Sequence, residues 1–180
     1  ANSCGRYYAG TVLFVVGGSS LTAVALPKDI KSDQPHPPGT AAEATVSITN
    51  AYIESIVGVA GRFFIHTTGG DPNTAKDNDK NLLFGSPTLI GTSYTTLRVT
   101  NGSDTTDYAL GDEANPPSSA PVSDGDTVTT AWTVDGITVE QKLSFALNAS
   151  TQRQDVTNIE YKLTNNNASA RDAGIRVLLD

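Results

Sequence analysis

The stretch that most constrains the fold is TVTTAWTV-DG-ITVEQKLSFAL, residues 127–147. Apolar and polar residues alternate on both sides of Asp135-Gly136, which is the period of a β-strand with one buried face. Asp-Gly favours a type I′ turn because both positions tolerate positive φ. The stretch therefore predicts a β-hairpin. Its core face is predicted to contain Val128, Thr130, Trp132 and Val134 on the first strand and Ile137, Val139, Leu143, Phe145 and Leu147 on the second.

Similar short segments recur along the rest of the chain. Asn101-Gly102 predicts a second type I′ hairpin, and no window has sustained helical periodicity. About ten strands with short connections indicate an all-β, antiparallel β-sandwich. Residues 111–126, GDEANPPSSAPVSDGD, are predicted to be a long polar loop. The other predicted strands are ATVSITNAYI (44–53), GRFFIHTT (61–68), SYTTLRVT (93–100), VTNIEYKL (156–163) and AGIRVLL (173–179).

The beginning of the chain predicts a strand extension. Two apolar segments, residues 11–16 and 21–26, flank Gly-Gly-Ser-Ser and are too short and too polar to span a bilayer. A linker with four prolines follows at residues 27–43, so the chain divides into an extension (1–26), the linker and a sandwich domain (44–180). The extension either packs on its own domain or is donated to the sheet edge of the next subunit. The assembly-strand residues are Thr11, Val12, Leu13, Phe14, Val15, Val16, Leu21, Val24 and Leu26.

Charge and cysteine content limit the partners and the cross-links. The 180 residues have a formal net charge of −7 and no cluster of Lys or Arg, which argues against a nucleic-acid partner. Cys4 is the single cysteine, so an intrachain disulfide is impossible. Three interpretations of Cys4 remain open: a free thiol, a bond to a neighbouring subunit, or a site of lipid attachment.

Several stretches resemble a known group of proteins. NAYIESIVGVAGRFFIHTTGGDP (50–72) and LLFGSPTLIGTSYTTLRV (82–99) resemble the N-terminal region of large secreted prokaryotic cell-surface proteins. DGITVEQKLSF (135–145) and residues 150–180 are similar to the same group and to the supersandwich modules that precede catalytic domains in some glycan-active enzymes. The resemblance covers residues 44–180. It implies a β-sandwich and an extracellular, cell-surface location, and it carries over no catalytic residue.

The loop GGDPNTAKDNDKN, residues 69–81, is a candidate calcium site. Calcium prefers six to eight oxygen ligands, which loops rich in Asp and Asn can provide. The loop lacks the spacing of an EF-hand, and a solvated turn is the alternative interpretation. The four candidate ligands are Asp71, Asn73, Asp77 and Asp79.

The sequence has no recognisable catalytic motif. His36 lies in the linker and His66 near a strand end, and there is no G-x-S-x-G nucleophile motif. Glu54, Glu140 and Glu160 belong to strand patterns whose polar face meets water. We therefore expect a protein that is not an enzyme.

Two functions follow as expectations. The first is a structural subunit of a cell-surface layer or filament, whose partners are other copies of itself. The alternative is an accessory carbohydrate-binding module of a secreted glycan-processing protein, which would stack aromatic side chains on surface glycans. Three glycosylation sequons begin at Asn101, Asn148 and Asn167. The candidate aromatics are Tyr7, Tyr8, Tyr52, Tyr94, Tyr108 and Trp132, although Trp132 shares its face with core residues.

Overall fold

The computed structural model describes residues 44–90 and 93–180, which form an antiparallel β-sandwich without helices. The predicted fold class of residues 44–180 is confirmed, whereas the predicted N-terminal extension and the whole predicted linker lie outside the described residues. The strands are β1 (Thr45–Thr49), β2 (Ile53–Gly58), β3 (Phe63–Thr67), β4 (Tyr94–Asn101), β5 (Asp104–Ala109), β6 (Ser119–Asp124), β7 (Thr127–Val134), β8 (Ile137–Ala146), β9 (Val156–Asn165) and β10 (Asp172–Leu178).

One layer of the sandwich is a four-stranded sheet in the order β6-β7-β8-β9. Part of its inner face is covered by a three-stranded sheet in the order β10-β4-β5. Since a short connection, residues 166–171, leads from β9 in the first sheet to β10 in the second, these two edge strands lie on the same side of the sandwich. The connection from β5 to β6 joins the opposite edges in the same way.

A third sheet, β1-β2-β3, covers the remaining part of the same inner face. At one end, Ser55 Oγ lies 2.9 Å from Thr157 Oγ1 of β9. At the other end, Gly61 in the β2–β3 turn packs against Trp132 of β7. The strands of this sheet therefore run across the four-stranded sheet.

Two clusters of buried side chains form the main core. The first includes Leu97, Trp132, Val139 and Tyr161 beneath the β10-β4-β5 sheet. The second joins Ile48, Val57 and Phe63 of the third sheet to Val128 and Leu143 of the four-stranded sheet. Ile159 and Val177 pack against both clusters, so the two parts of the core are continuous.

The strongest sequence prediction is confirmed. Val134 pairs with Ile137, and Asp135 and Gly136 both have positive φ, at 49° and 70°. These are the signs required by a type I′ turn. Trp132 is 1% exposed, which confirms its prediction as a core residue.

The second hairpin turns one residue later than predicted. Asn101 pairs with Asp104, so the loop residues are Gly102 and Ser103. Of these two, Gly102 has positive φ, at 64°. Glycine at the first loop position fits a type II′ turn, which leaves Asn101 inside β4. The type I′ assignment to Asn101-Gly102 was therefore wrong.

Three further boundaries differ from the predictions. The predicted strand 44–53 contains a reversal, because Asn50 Oδ1 accepts hydrogen bonds from Tyr52 N and Ile53 N at 2.8 and 3.0 Å. The segment therefore contains β1, a turn and the first residue of β2. The predicted loop 111–126 contains β6, an edge strand that its polar composition concealed. Leu147 lies beyond the end of β8 and is 61% exposed, so its prediction as a core residue was wrong.

Candidate functional site

The candidate calcium loop follows β3 and is anchored by its own hydrogen bonds. Gly69 N and Gly70 N donate to the carbonyls of Ala51 and Tyr52, at 3.1 and 3.2 Å. Thr67 Oγ1 donates to the Asp77 carbonyl and accepts from Lys80 N at 2.8 Å. These bonds hold the loop against the β1–β2 turn and the end of β3. The loop lines an open depression of about 230 Å³.

Asp71 and Asn73 lie in the exposed part of this loop. Asp71 Oδ1 accepts hydrogen bonds from Asn73 N at 3.0 Å and from Asn73 Nδ2 at 2.8 Å. Arg153, which follows β8, approaches the same oxygen at 3.3 Å. The hydrogen bonds from Asn73, followed by the weaker effect of Arg153, lower the pKa of Asp71 below its ordinary value. A cation at Asp71 would therefore compete with Asn73 and Arg153.

Asp77 lies deeper in the loop than Asp71. Its Oδ2 accepts a hydrogen bond from Asp71 N at 2.8 Å, whereas its Oδ1 is shielded from solvent and has no hydrogen-bond partner. Asn78 Oδ1, from the next residue, is also buried and unpartnered. Buried oxygens without partners are unusual in proteins, and they are acceptors that water or a cation could satisfy.

The structure brings together three of the four predicted ligands. Asp71, Asn73 and Asp77 share one hydrogen-bonded turn. Asp79 is exposed, with a φ of 53°, and its N–H donates to the Thr68 carbonyl at 3.2 Å. Within residues 44–90 and 93–180, no three His, Cys, Asp or Glu side chains form a group that could hold a metal ion. Calcium binding therefore stays a prediction.

His66 and Glu54 form a cross-strand pair. They are directly opposite each other on β3 and β2, and His66 Nε2 lies 2.8 Å from Glu54 Oε2. The His66 ring also stacks on Phe64, with centroids 5.6 Å apart. His66 is half-buried, as predicted, and its contacts are those of a residue that stabilises the sheet.

Among the described residues, the aromatic candidates offer little exposed ring surface. Tyr52, Tyr94 and Tyr108 are half-buried, and Trp132 is buried. Arg153 lies over the Tyr52 ring, 5.9 Å from its centroid. Tyr7 and Tyr8 are outside the part of the chain that the structure describes. The carbohydrate-binding alternative stays a prediction.

The three sequons differ in their surroundings. Asn101 is exposed beside the β4–β5 turn. Asn148 is half-buried, and its Oδ1 accepts from Ser150 N at 2.9 Å. Asn167 Nδ2 donates to the Asp135 carbonyl at 3.0 Å, so a glycan there would disturb the β7–β8 turn. Asn101 is therefore the most accessible of the three candidates.

Sequence reasoning missed an apolar row along β10. Ala173, Ile175 and Val177 face the core but are only half-buried, because β10 pairs with β4 alone among the described strands. The alternation in AGIRVLL predicts which face points inward, but it cannot predict that β10 is an edge strand. Exposed apolar side chains continue beyond this row, at Leu178, Leu179 and Phe84.

Comparisons with known proteins do not identify a family. No protein-family model matches the chain, and neither a curated protein nor a solved structure shows significant similarity to it. The resemblance to secreted cell-surface proteins therefore stays a prediction. Among the described residues there is no helix of the length and hydrophobicity needed to cross a membrane.

Proposed function

We propose that this protein is a non-catalytic, extracellular structural subunit of a cell-surface layer or filament. Copies join when the N-terminal segment of one chain adds as a strand to a sheet of another copy. The observation that carries the proposal is the open edge of β10, which pairs only with β4 among the described strands. Such an edge presents unpaired N–H and C=O groups that can accept a further strand.

The N-terminal segment has the composition expected of a donated strand. Residues 12–16 are five consecutive apolar residues, and residues 11–26 contain no charged side chain. Burial of one large apolar side chain contributes about 1.5–3 kcal/mol, so solvation of this segment is unfavourable. The extracellular assignment is supported by the acidic charge balance and by the resemblance to secreted surface proteins.

Deletion of residues 1–26 tests this function. The shortened chain should keep the sandwich, because the strands and buried clusters described above all lie beyond residue 44. It should lose assembly, which sedimentation velocity and electron microscopy would measure against the full chain. Circular dichroism would verify that the sandwich is retained. Normal assembly of the shortened chain would contradict the proposal.

We also propose that the loop at residues 69–81 binds a calcium ion that stabilises the folded loop. The support is the buried, unpartnered Oδ1 of Asp77, whose other carboxylate oxygen accepts a hydrogen bond from Asp71 N in the same turn. A divalent cation would satisfy this oxygen, and it would offset the repulsion between the two carboxylates.

Thermal unfolding with and without calcium tests whether a bound calcium ion stabilises the fold. Calcium should raise the Tm of the full chain and chelator should reverse the shift, because ligands of the folded state stabilise it by mass action. Asp77→Ala should abolish the shift. Asp104→Ala removes the same charge from the exposed first residue of β5 and should preserve the shift. If calcium leaves the Tm of the full chain unchanged, a stabilising calcium ion is excluded.

A further inference from the structure

The described edge strands differ in how they are protected from pairing. The edge of β3 is covered by the following chain, because Thr67 N and Leu82 N donate to the carbonyls of Lys80 and Ile65 at 2.8 and 3.0 Å. The edge strand β6 contains Pro121 and a register shift between Ser119 and Val122. Proline and bulges are common devices that block the addition of a strand.

Three other edges also lack a free apolar row. On β5, the inward positions Asp104 and Thr106 are polar and exposed. On β9, Tyr161 is completely buried, and the neighbouring Thr157 contacts Ser55 of β2. The edge strand β1 lies against β6 and β7. None of these edges offers three consecutive inward apolar residues that remain partly exposed.

The edge of β10 has this property. Ala173, Ile175 and Val177 lie on its inner face, and all three are half-buried. On its outer face Gly174 is exposed, and a Cβ at this position would meet no atom within 4 Å. The side of β10 away from β4 therefore combines an edge without a strand partner among the described residues and an incompletely covered core.

We propose that the edge of β10 is the acceptor for residues 11–16 of a second copy of this chain. The added strand would extend the β10-β4-β5 sheet and cover Ala173, Ile175 and Val177. This inference rests on the proposed function and deepens it, because it assigns residues 11–16 as the donated strand and the apolar row of β10 as the surface that this strand covers.

Residues 11–16 match this edge in length and chemistry. A strand of six residues spans about 20 Å, which is the length of a typical strand and suits the seven residues of β10. In an extended segment, Val12, Phe14 and Val16 would share one face. That face could cover the apolar row, while backbone hydrogen bonds to β10 would fix the register.

The linker is long enough for a second copy to be the source of the strand. An extended, proline-rich segment advances about 3.1 Å per residue, so residues 27–43 reach about 50 Å. A domain of this length has a radius of gyration of about 14 Å. An arm longer than the domain's own diameter places the donated strand within reach of a neighbouring molecule.

Disulfide trapping tests the acceptor in the full-length chain. Cys4→Ser removes the native thiol, and Gly174→Cys supplies the acceptor thiol. Separate donor chains, also with Cys4→Ser, carry one cysteine each at positions 12 to 16. Directly paired residues in neighbouring strands are close enough for a disulfide. Mixing donor and acceptor chains under oxidising conditions should give a covalent dimer, strongest at alternate donor positions.

The matched control is Thr105→Cys, on the exposed outer face of β5 at the opposite edge of the same sheet. It should trap the donors at least tenfold less than Gly174→Cys. Equal trapping at both edges, or no trapping at Gly174→Cys, would overturn the acceptor. A further chain carries Gly174→Cys and one donor cysteine together. If its disulfide forms only within one molecule and never between two molecules, donation to a second copy is overturned.

A charge at the same edge gives a second, thiol-free test. Ile175→Lys should reduce assembly at least tenfold, whereas Thr106→Lys on β5 should leave it unchanged. Circular dichroism and thermal unfolding would verify that both variants remain folded; if Ile175→Lys unfolds, trapping alone decides. One outcome is that deletion of residues 1–26 abolishes assembly while Gly174→Cys traps no donor chain. In that case the edge of β10 is not the acceptor, and assembly through the N-terminal segment still stands. A full chain that stays monomeric contradicts both.

Discussion

Tyr161 links the two layers of the sandwich through buried hydrogen bonds. Its side chain is completely buried, and its hydroxyl contacts Thr95 Oγ1 of β4 and accepts a hydrogen bond from Gln141 Nε2 at 2.8 Å. Burial raises the pKa of Tyr161 to about 12, and the two hydrogen bonds only partly oppose this effect. A satisfied polar group inside an apolar core fixes the register of the strands that supply it.

Tyr161 should make stability fall at alkaline pH. In the unfolded chain a tyrosine has a pKa near 10, so between about pH 10 and 12 the unfolded state loses this proton while the folded state keeps it. The free energy of unfolding should therefore fall across this window, by about 2–3 kcal/mol. Urea titrations at several pH values would measure the fall.

Two substitutions separate the loss of stability caused by Tyr161 from the losses that other groups cause at alkaline pH. Tyr161→Phe should remove this part of the fall. At neutral pH it should also lower the free energy of unfolding by about 1–3 kcal/mol, because Thr95 and Gln141 lose a buried partner. Tyr108→Phe keeps the Tyr161 hydroxyl and should keep the alkaline fall. An identical pH profile for Tyr161→Phe and the parent chain would contradict this account.

At the scale of elements, the turns show what local sequence can and cannot predict. Asp135-Gly136 was predictable because both residues tolerate the φ that the turn requires. Asn101-Gly102 carries a similar signal, but tertiary pairing places Asn101 opposite Asp104 and moves the turn by one residue. The β2–β3 turn contains Gly61, whose importance depends on its contact with Trp132 and cannot be read from the local sequence.

Gly61→Ala should destabilise the junction between β3 and the four-stranded sheet. Gly61 has a φ of +80°, and an added Cβ would lie 2.1 Å from Trp132 Cζ2. Gly125 in the β6–β7 turn is the matched control, with a φ of +60° and nothing within 4 Å of an added Cβ. Gly125→Ala should cost about 1 kcal/mol for the backbone conformation.

Gly61→Ala should cost about 1–3 kcal/mol more than Gly125→Ala, because the crowded core must shift. Urea unfolding of both variants, followed by Trp132 fluorescence, would measure the difference. If both variants lose the same free energy of unfolding, Trp132 makes room for the added methyl group without an energetic cost.

For the whole molecule, the alternation of apolar and polar residues at every second position was sufficient to predict an antiparallel sandwich over residues 44–180. It also predicted the core side of β7 and most of β8, where Val128, Trp132, Val139 and Leu143 are buried. It could not predict the division into three sheets, because strand order depends on pairings between distant residues such as β4 with β10.

The candidate site was predictable only in its composition. Asp71, Asn73 and Asp77 do share a turn, but their support comes from Thr67 on β3 and from Arg153, far along the chain. The apolar row on β10 was hidden for a similar reason. Alternation identifies the inward face of a strand, whereas exposure of that face depends on the absence of a neighbouring strand.

The pairing of β4 with β10 also has a consequence for biosynthesis. Chain growth from the N-terminus makes β4 available long before β10, yet all seven residues of β10 pair with residues of β4. A nascent chain that stops before residue 172 leaves β4 with β5 as its only sheet partner among the described strands. Closure of the sandwich must therefore wait until residues 172–178 have emerged from the ribosome.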